Sequence, residues 1–98
     1  MLLIYQVQGL EHAGDMLVAW LPEERILINA DLWTPPAANA APPANVSASA
    51  ITFYNNIRRL NLPVMTHVPI HGQPGPHADF ERIVGPAAQR AAQQANAQ

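Results

Sequence analysis

The chain has 98 residues, of which 49% are apolar and 12% charged, and its formal net charge is -2 at pH 7. This length corresponds to one small domain or to part of a larger one. The negative charge and the absence of lysine argue against nucleic-acid binding, which requires a basic surface. The absence of cysteine excludes disulfides, thiolate zinc sites and thiol nucleophiles. The scarcity of charge predicts that a partner or a second copy covers part of the surface.

No apolar run approaches the roughly 20 residues that a membrane-spanning helix needs. The N-terminal segment MLLIYQVQG has no basic leader and no small-residue cleavage site, so it is interpreted as a strand rather than a signal peptide. We therefore expect no membrane partner and a soluble, cytoplasmic protein of bacterial type.

Three short apolar segments near the start of the chain predict three β-strands, over residues 2–8, 16–21 and 26–30. The second of them, MLVAWL, is apolar on both faces, which is typical of a buried strand. Residues 22–25 place a proline at a favoured turn position. These short connections predict an antiparallel meander in which the second and third strands form a hairpin.

Residues 32–46 contain four of the ten prolines and predict a long ordered or extended loop. Trp33 is expected to anchor its start. Loops of this length in small domains are often functional or contact a partner.

A helix is predicted over residues 48–60, with Ser47 or Ser49 as its N-cap and Pro63 beyond its end. Its predicted apolar face carries Ala50, Phe53, Ile57 and Leu60. Its predicted polar face carries Asn55, Asn56 and Arg59.

Residues 64–70 predict a last strand, and Pro69 within it predicts an edge position. A short helix is expected over residues 77–84, broken by Gly85-Pro86. The Ala/Gln-rich segment 85–98 is expected to form either a solvated helix that frays or a helix that docks on a partner. The predicted fold class is α+β: an antiparallel or mixed sheet of about four strands with two or three helices on one face.

Three side chains are candidates for a metal site: His12, Asp31 and His71. Imidazole nitrogen and carboxylate oxygen are the zinc ligands expected when thiols are absent. His12 precedes the second strand, Asp31 follows the third and His71 follows the last, so all three can meet at one edge of the sheet. The alternative for His12 and Asp31 is a hydrogen-bonded pair that closes a turn, and for His71 a hydrogen-bonded histidine at a strand end.

Three sequence patterns in this order carry a resemblance to a known family. They are H-x-x-D-M-L-V-x-x-L-P, then I-L-I-x-A-D-L-W-T-P-P, then V-P-I-H-G. Residues 2–84 resemble the C-terminal half of a metallo-β-lactamase-fold hydrolase. We therefore predict a main domain of this half type over residues 1–84 and a C-terminal helix or tail over residues 85–98. The resemblance implies half of an αββα sandwich. By position, His12 resembles the last histidine ligand of the first metal, Asp31 the metal-bridging carboxylate and His71 the histidine on the second metal.

The sequence departs from the family in one respect, because it lacks the H-x-H-x-D-H run that supplies most of the ligands. The other histidines, His67 and His77, do not have that spacing; His67 is expected on the sheet surface and His77 at a helix start. Three ligands divided between two metal positions complete neither shell. We therefore expect no catalytic residues and, although zinc is the cofactor implied by the resemblance, no zinc in the isolated chain.

The sequence thus favours a truncated metallo-β-lactamase-like domain that is non-catalytic in isolation and acts as an oligomeric or interaction protein, with a homodimer or higher oligomer expected. One alternative is a segment of a zinc-dependent hydrolase whose site is completed by another chain, namely a complementary N-terminal half. Another is a small-ligand binding module at the edge of the sheet.

Overall fold

A computed structural model of the chain describes residues 1–9, 16–36 and 45–96. The strands are β1 (Leu3–Gln6), β2 (Leu17–Leu21), β3 (Ile26–Asn29), β4 (Thr66–Pro69) and β5 (Gly75–Pro76). The helices are α1 (Ala48–Leu60) and α2 (His77–Asn96). The predicted α+β class is confirmed, and each predicted strand and helix is present with somewhat different bounds.

The five strands form one mixed sheet in the order β1-β2-β3-β4-β5. The pairs β1–β2 and β2–β3 are antiparallel, so the predicted meander is confirmed. Strand β4 runs parallel to β3, and α1 lies in the connection between them. The short β5, which the sequence did not predict, pairs with Thr66 and His67. Thr66 and His67, the first half of β4, are therefore not at the edge of the sheet. Pro69 has no β5 partner in the described ladder.

Side chains alternate across the sheet, and one face is buried beneath both helices. The strand residues buried on this face include Val18, Trp20, Leu27, Asn29 and His67. Phe53 of α1 and Phe80 of α2 contact the His67 ring, with centroid separations of 5.7 and 4.7 Å. The core therefore lies in a single layer between the sheet and the helix pair.

Local sequence signals determine both ends of α1. The hydroxyl of Ser47 accepts a hydrogen bond from the Ala50 amide at 3.1 Å, as the N-cap prediction requires. At the other end Asn61 adopts a left-handed conformation, and its amide donates to the Arg58 carbonyl. Pro63 then follows in the connection to β4.

Helix α2 continues through Gly85 and Pro86, so the predicted break is wrong. A proline inside a helix removes one hydrogen bond and costs about 3 kcal/mol. The buried side of α2 extends across this point as Phe80, Ile83, Val84, Ala87 and Ala88, and this packing outweighs the local penalty. The place predicted for the end of the main domain, between residues 84 and 85, lies inside α2. Neither described helix is long and apolar enough to cross a membrane.

Asn56 is buried, although the helical pattern placed it on the polar side of α1. Its amide group pairs with the main chain of Gln8: Oδ1 accepts from the Gln8 amide at 2.9 Å and Nδ2 donates to the Gln8 carbonyl at 2.8 Å. Arg59 also donates to Oδ1 at 2.8 Å. This contact joins the chain just beyond β1 to the middle of α1.

We predict that Asn56→Ala lowers the free energy of unfolding by about 1–2 kcal/mol, because both main-chain groups of Gln8 lose their partner. Urea denaturation measures the change. Asn55→Ala is the matched control, since Asn55 is the adjacent residue and is exposed. Equal effects of the two substitutions would contradict the role given to Asn56.

Candidate functional site

Asp31 and His71 lie side by side because β3 and β4 are parallel and paired with a constant offset. Asn29 is opposite Pro69 in the ladder, and two residues further along each strand the offset brings Asp31 opposite His71. His71 Nδ1 is 3.3 Å from Asp31 Oδ1, and the side chains are 78% and 75% exposed. Two of the three predicted ligands therefore meet at the edge of the sheet and face solvent.

The third predicted ligand, His12, lies outside the described residues. Strand β2 begins at the same edge, since it is antiparallel to β3. Within the described ranges, no group of three or more His, Cys, Asp or Glu side chains is close enough to hold a metal ion. The metal role of His12, Asp31 and His71 stays a prediction, and the contact at this edge also fits a hydrogen-bonded pair.

A buried asparagine shapes the turn that presents Asp31. Asn29 is 1% exposed, and its Oδ1 accepts from the amides of Leu32 and Trp33 at 3.0 and 3.1 Å. Asp31 lies in the turn between Asn29 and these two amides. Its φ is 63°, a conformation that aspartate tolerates better than most residues. The turn is therefore fixed from inside the core, while its carboxylate points outward.

The loop after β4 is held against the loop after β3. The Thr34 hydroxyl donates to the His71 carbonyl at 3.5 Å. Gly72 has a φ of 112°, and a Cβ at this position would lie 2.6 Å from Thr34 Cγ2. Only glycine permits both the conformation and the approach, so this contact keeps the loops that carry Asp31 and His71 together.

His67 is fully buried, so the expectation that it faces the sheet surface is wrong. Its ring lies among Trp33, Phe53 and Phe80. Its Nε2 is 2.8 Å from His77 Nδ1, and His77 Nε2 is 3.1 Å from Glu81 Oε1. A chain of hydrogen bonds therefore runs from the core to the start of α2.

The carboxylate at the outer end fixes the direction of this chain. Since a carboxylate oxygen accepts, His77 donates from Nε2 to Glu81 and keeps a lone pair on Nδ1. His67 then donates from Nε2 to His77, which leaves a lone pair on His67 Nδ1. That atom is buried and has no hydrogen-bond partner among the described residues, which agrees with this assignment.

Burial of His67 lowers its pKa to about 3, and the nearby His77 ring acts in the same direction. Both causes disfavour the imidazolium, because a buried charge loses its hydration and a second cation would face it. His67 is therefore neutral throughout the physiological pH range.

A cleft of about 380 Å³ opens at the outer end of this hydrogen-bond chain. It is lined by Ile57, Arg58, Asn61, Leu62, Pro63, His77 and Glu81. The cleft lies beside the beginning of β4, because the His77 amide donates to the Met65 carbonyl. It is thus at the opposite end of the sheet from Asp31 and His71.

The sheet face away from the helices is apolar and, in the described part of the chain, has no helix over it. Ile4, Ala19, Ile28 and Val68 form one cross-strand row on this face. Ile4, Leu17 and Ile70 are 60%, 56% and 60% exposed and line a shallow depression of about 230 Å³. We call this surface the open face.

Sequence reasoning missed three buried polar residues: Asn29, Asn56 and His67. Asparagine is depleted in strands, so Asn29 at the end of an apolar strand and just before Asp31 was a usable signal for a side chain that caps a turn. No comparable signal marked Asn56 or His67, because Gln8, which pairs with Asn56, and His77, which pairs with His67, are 48 and 10 residues away in sequence.

Comparison with solved structures finds similar folds in longer proteins. A metallo-β-lactamase from Pontibacter korlensis matches with a TM-score of 0.54 and 20% identity over 86% of this chain and 40% of its own. The metallo-β-lactamase FIM-1 from Pseudomonas aeruginosa, in its mono-zinc form, matches with a TM-score of 0.58 and 22% identity over 92% and 40%. Rubredoxin oxygen:oxidoreductase from Desulfovibrio gigas matches with a TM-score of 0.58 and 18% identity over 94% and 28%.

The chain thus spans less than half the length of the solved structures that it matches. No protein-family model matches it, and no curated protein does. The structural matches show the fold, and the predicted resemblance to half of a metallo-β-lactamase sandwich is confirmed at that level.

We predict that His67 makes the protein less stable as the pH falls from 6.5 toward 3. The unfolded chain takes up a proton on this histidine below its ordinary pKa of 6.5, whereas the folded chain does so only near 3. This difference lowers the free energy of unfolding by about 1.4 kcal/mol per pH unit. Urea denaturation of wild type and His67→Gln between pH 7 and 4.5 measures it, and the variant should show a flatter pH dependence.

His71→Gln is the matched control, since it makes the same change at an exposed histidine. NMR titration of the wild-type His67 ring is a direct second measurement that does not depend on the variant's folding. Protonation of His67 above pH 5 in the folded protein would contradict the prediction.

Proposed function

We propose that this chain, whose fold is similar to part of a metallo-β-lactamase, supplies one half of a metal-dependent hydrolase site. Asp31 and His71 are its ligands for zinc. The remaining ligands and a second sheet layer come from a complementary half that docks on the open face. In isolation the chain does not catalyse hydrolysis.

The observation that carries this proposal is the contact between Asp31 and His71. Ligands at the usual zinc distances, about 2.0–2.2 Å, are about 3.4 Å apart in a tetrahedral shell. The 3.3 Å between His71 Nδ1 and Asp31 Oδ1 fits two neighbouring ligands of one ion. Both side chains are exposed, so they are open to a further set of ligands.

The chemistry supplied by zinc is the lowering of the pKa of a bound water toward neutrality. This chain contributes the conditions around it. Asp31 brings a negative charge to the edge of the sheet. The turn that carries Asp31 is held by Asn29, so the Asp31 carboxylate is not needed to form the turn. The contact of Thr34 with the His71 carbonyl fixes the loop of the second ligand. A pre-organised pair of ligands loses less conformational freedom on binding.

The open face supports docking of a second layer. The described β-strands contain no Asp, Glu, Lys or Arg, so burial of this face leaves no strand charge unpaired. Burial of apolar surface contributes about 25 cal/mol per Å². In an αββα sandwich this is the face that the second sheet covers, and the matched structures are long enough to hold such a layer.

The second candidate function is a self-associated, non-catalytic protein in which another copy of this chain covers the open face. The uncharged character of that face favours it, because two identical surfaces meet without repulsion between like charges. A two-fold dimer buries the same patch on both copies. The two candidates differ in metal binding and in the state of the isolated chain in solution.

We predict that Zn²⁺ binds weakly to the isolated chain at Asp31 and His71, and that Asp31→Ala lowers this affinity at least about tenfold, or 1.4 kcal/mol. NMR of the His71 ring during a zinc titration follows this site, and calorimetry gives the heat. Asp79→Ala is the matched control, since Asp79 pairs with Arg82 on α2. Zinc-independent His71 signals, or equal affinity in Asp31→Ala, would reject the proposed site.

We also predict that Leu17→Glu reduces association through the open face, because it places a charge in the apolar surface. Sedimentation velocity at micromolar concentration measures association of the isolated chain. Met65→Glu is the control, because Met65 is 60% exposed but does not line the depression. A wild-type dimer that Leu17→Glu dissociates favours the self-associated protein, whereas a wild-type monomer is the result expected of a half that requires a different partner.

A further inference from the structure

His77 and Glu81 place two metal-ligating atoms on one face of α2. The residues are four apart, so they are neighbours on the helix surface. His77 Nε2 is 3.1 Å from Glu81 Oε1, and the side chains are 18% and 47% exposed. Both line the cleft of about 380 Å³, which has room for an ion with several waters.

The His77 ring is held in place from the core side. Its Nδ1 is 2.8 Å from Nε2 of the fully buried His67. The ring centroids are 5.1 Å apart and the rings are inclined by 17°, an arrangement in which nearly coplanar rings meet edge to edge. This contact occupies Nδ1 and leaves Nε2 as the nitrogen beside Glu81 and the cleft. Ligating histidines usually have their other nitrogen fixed by such a partner.

We propose that this cleft binds a divalent transition-metal ion of the zinc type through His77 Nε2 and Glu81 Oε1, with water completing the shell. Ligand atoms of zinc are about 3.4 Å apart in a tetrahedral shell and about 2.9 Å apart in an octahedral one. The observed 3.1 Å lies between these values. The site is independent of Asp31 and His71, which lie at the other end of the sheet.

Binding requires the protons of the two imidazoles to be rearranged, because the ion takes the nitrogen of His77 that carries its proton. Before binding, each ring carries its proton on Nε2. The ion displaces the Nε2 proton of His77 to water in the cleft, and the Nε2 proton of His67 passes to Nδ1 of His77, which then donates back to His67. His67 takes up a proton from water on Nδ1, which has no acceptor among the described residues, so this step costs free energy and weakens binding. Each ring keeps one proton, so no net proton is released by the pair.

Arg58 weakens the proposed site. Its side chain lines the same cleft and brings a positive charge toward the cation, while Glu81 brings the opposing negative charge. Arg58 is held at the side of the cleft by a hydrogen bond from Nη1 to the Tyr54 hydroxyl at 3.3 Å. Two protein ligands and a nearby cation predict weaker binding than at a four-ligand zinc site.

The test is a Zn²⁺ titration of the full chain in an Asp31→Asn/His71→Gln background, which removes the ligands of the first site. Long-range proton–nitrogen NMR spectra identify which nitrogen of each imidazole carries the proton. We expect zinc to shift the NMR signal of His77 Nε2. We also expect the proton of buried His67 to be on Nδ1 instead of Nε2 when zinc is bound. In the same background, Glu81→Gln should lower the zinc affinity at least tenfold without unfolding, since Glu81 is half-exposed.

A second pair of variants tests the electrostatic argument. Arg58→Gln should raise the zinc affinity about threefold or more, whereas Arg90→Gln, the same charge change on an exposed part of α2, should leave it unchanged. The proposal would be overturned if the nitrogen signals of His67 were unchanged at saturating zinc, or if Glu81→Gln had the same zinc affinity as its parent protein. Neither result bears on zinc binding by Asp31 and His71.

Discussion

The parallel pairing of β3 with β4 is the constraint on which the rest of the molecule depends. It sets Leu27 beside His67 in the core and Asn29 beside Pro69 at the end of the ladder. A parallel pair needs a long crossover, and α1 provides it by crossing the buried face. The same register therefore positions the candidate ligands outside the core and builds the aromatic cluster inside it. A one-residue slip would exchange the two faces of β4 and bring His67 out of the core.

Most of the secondary structure was predictable because its signals are local. Alternating apolar residues, a proline turn and the Ser47 cap each act within a few residues, and the structure has them where the sequence places them. Gly85-Pro86 is a strong local breaker, but the apolar stripe of α2 continues beyond it and its packing decides the outcome. The two-residue β5 has no periodicity to detect, since it is defined only by its pairing with β4.

The candidate sites were predictable to different degrees, again according to whether the signal is local in the sequence. Asp31 and His71 follow apolar strands directly, and strand ends that share an edge bring such residues together. His67 lies within an apolar strand, where alternation alone cannot tell a buried imidazole from an exposed one. Its burial depends on acceptance by His77, a residue on another element, so the pair is recognised only when β4 and α2 are placed against each other.

The crossover between the parallel strands separates Asp31 and His71 by 40 residues of chain. An ion held by both side chains would close that segment into a ring, as a covalent cross-link does. Unlike a covalent link the ion can dissociate, and closing a loop of this span in the unfolded chain costs about 4 kcal/mol of chain entropy. The folded sheet already holds both ligands together, so the ion would bind the folded chain in preference to the unfolded one and couple metal availability to the stability of the folded chain.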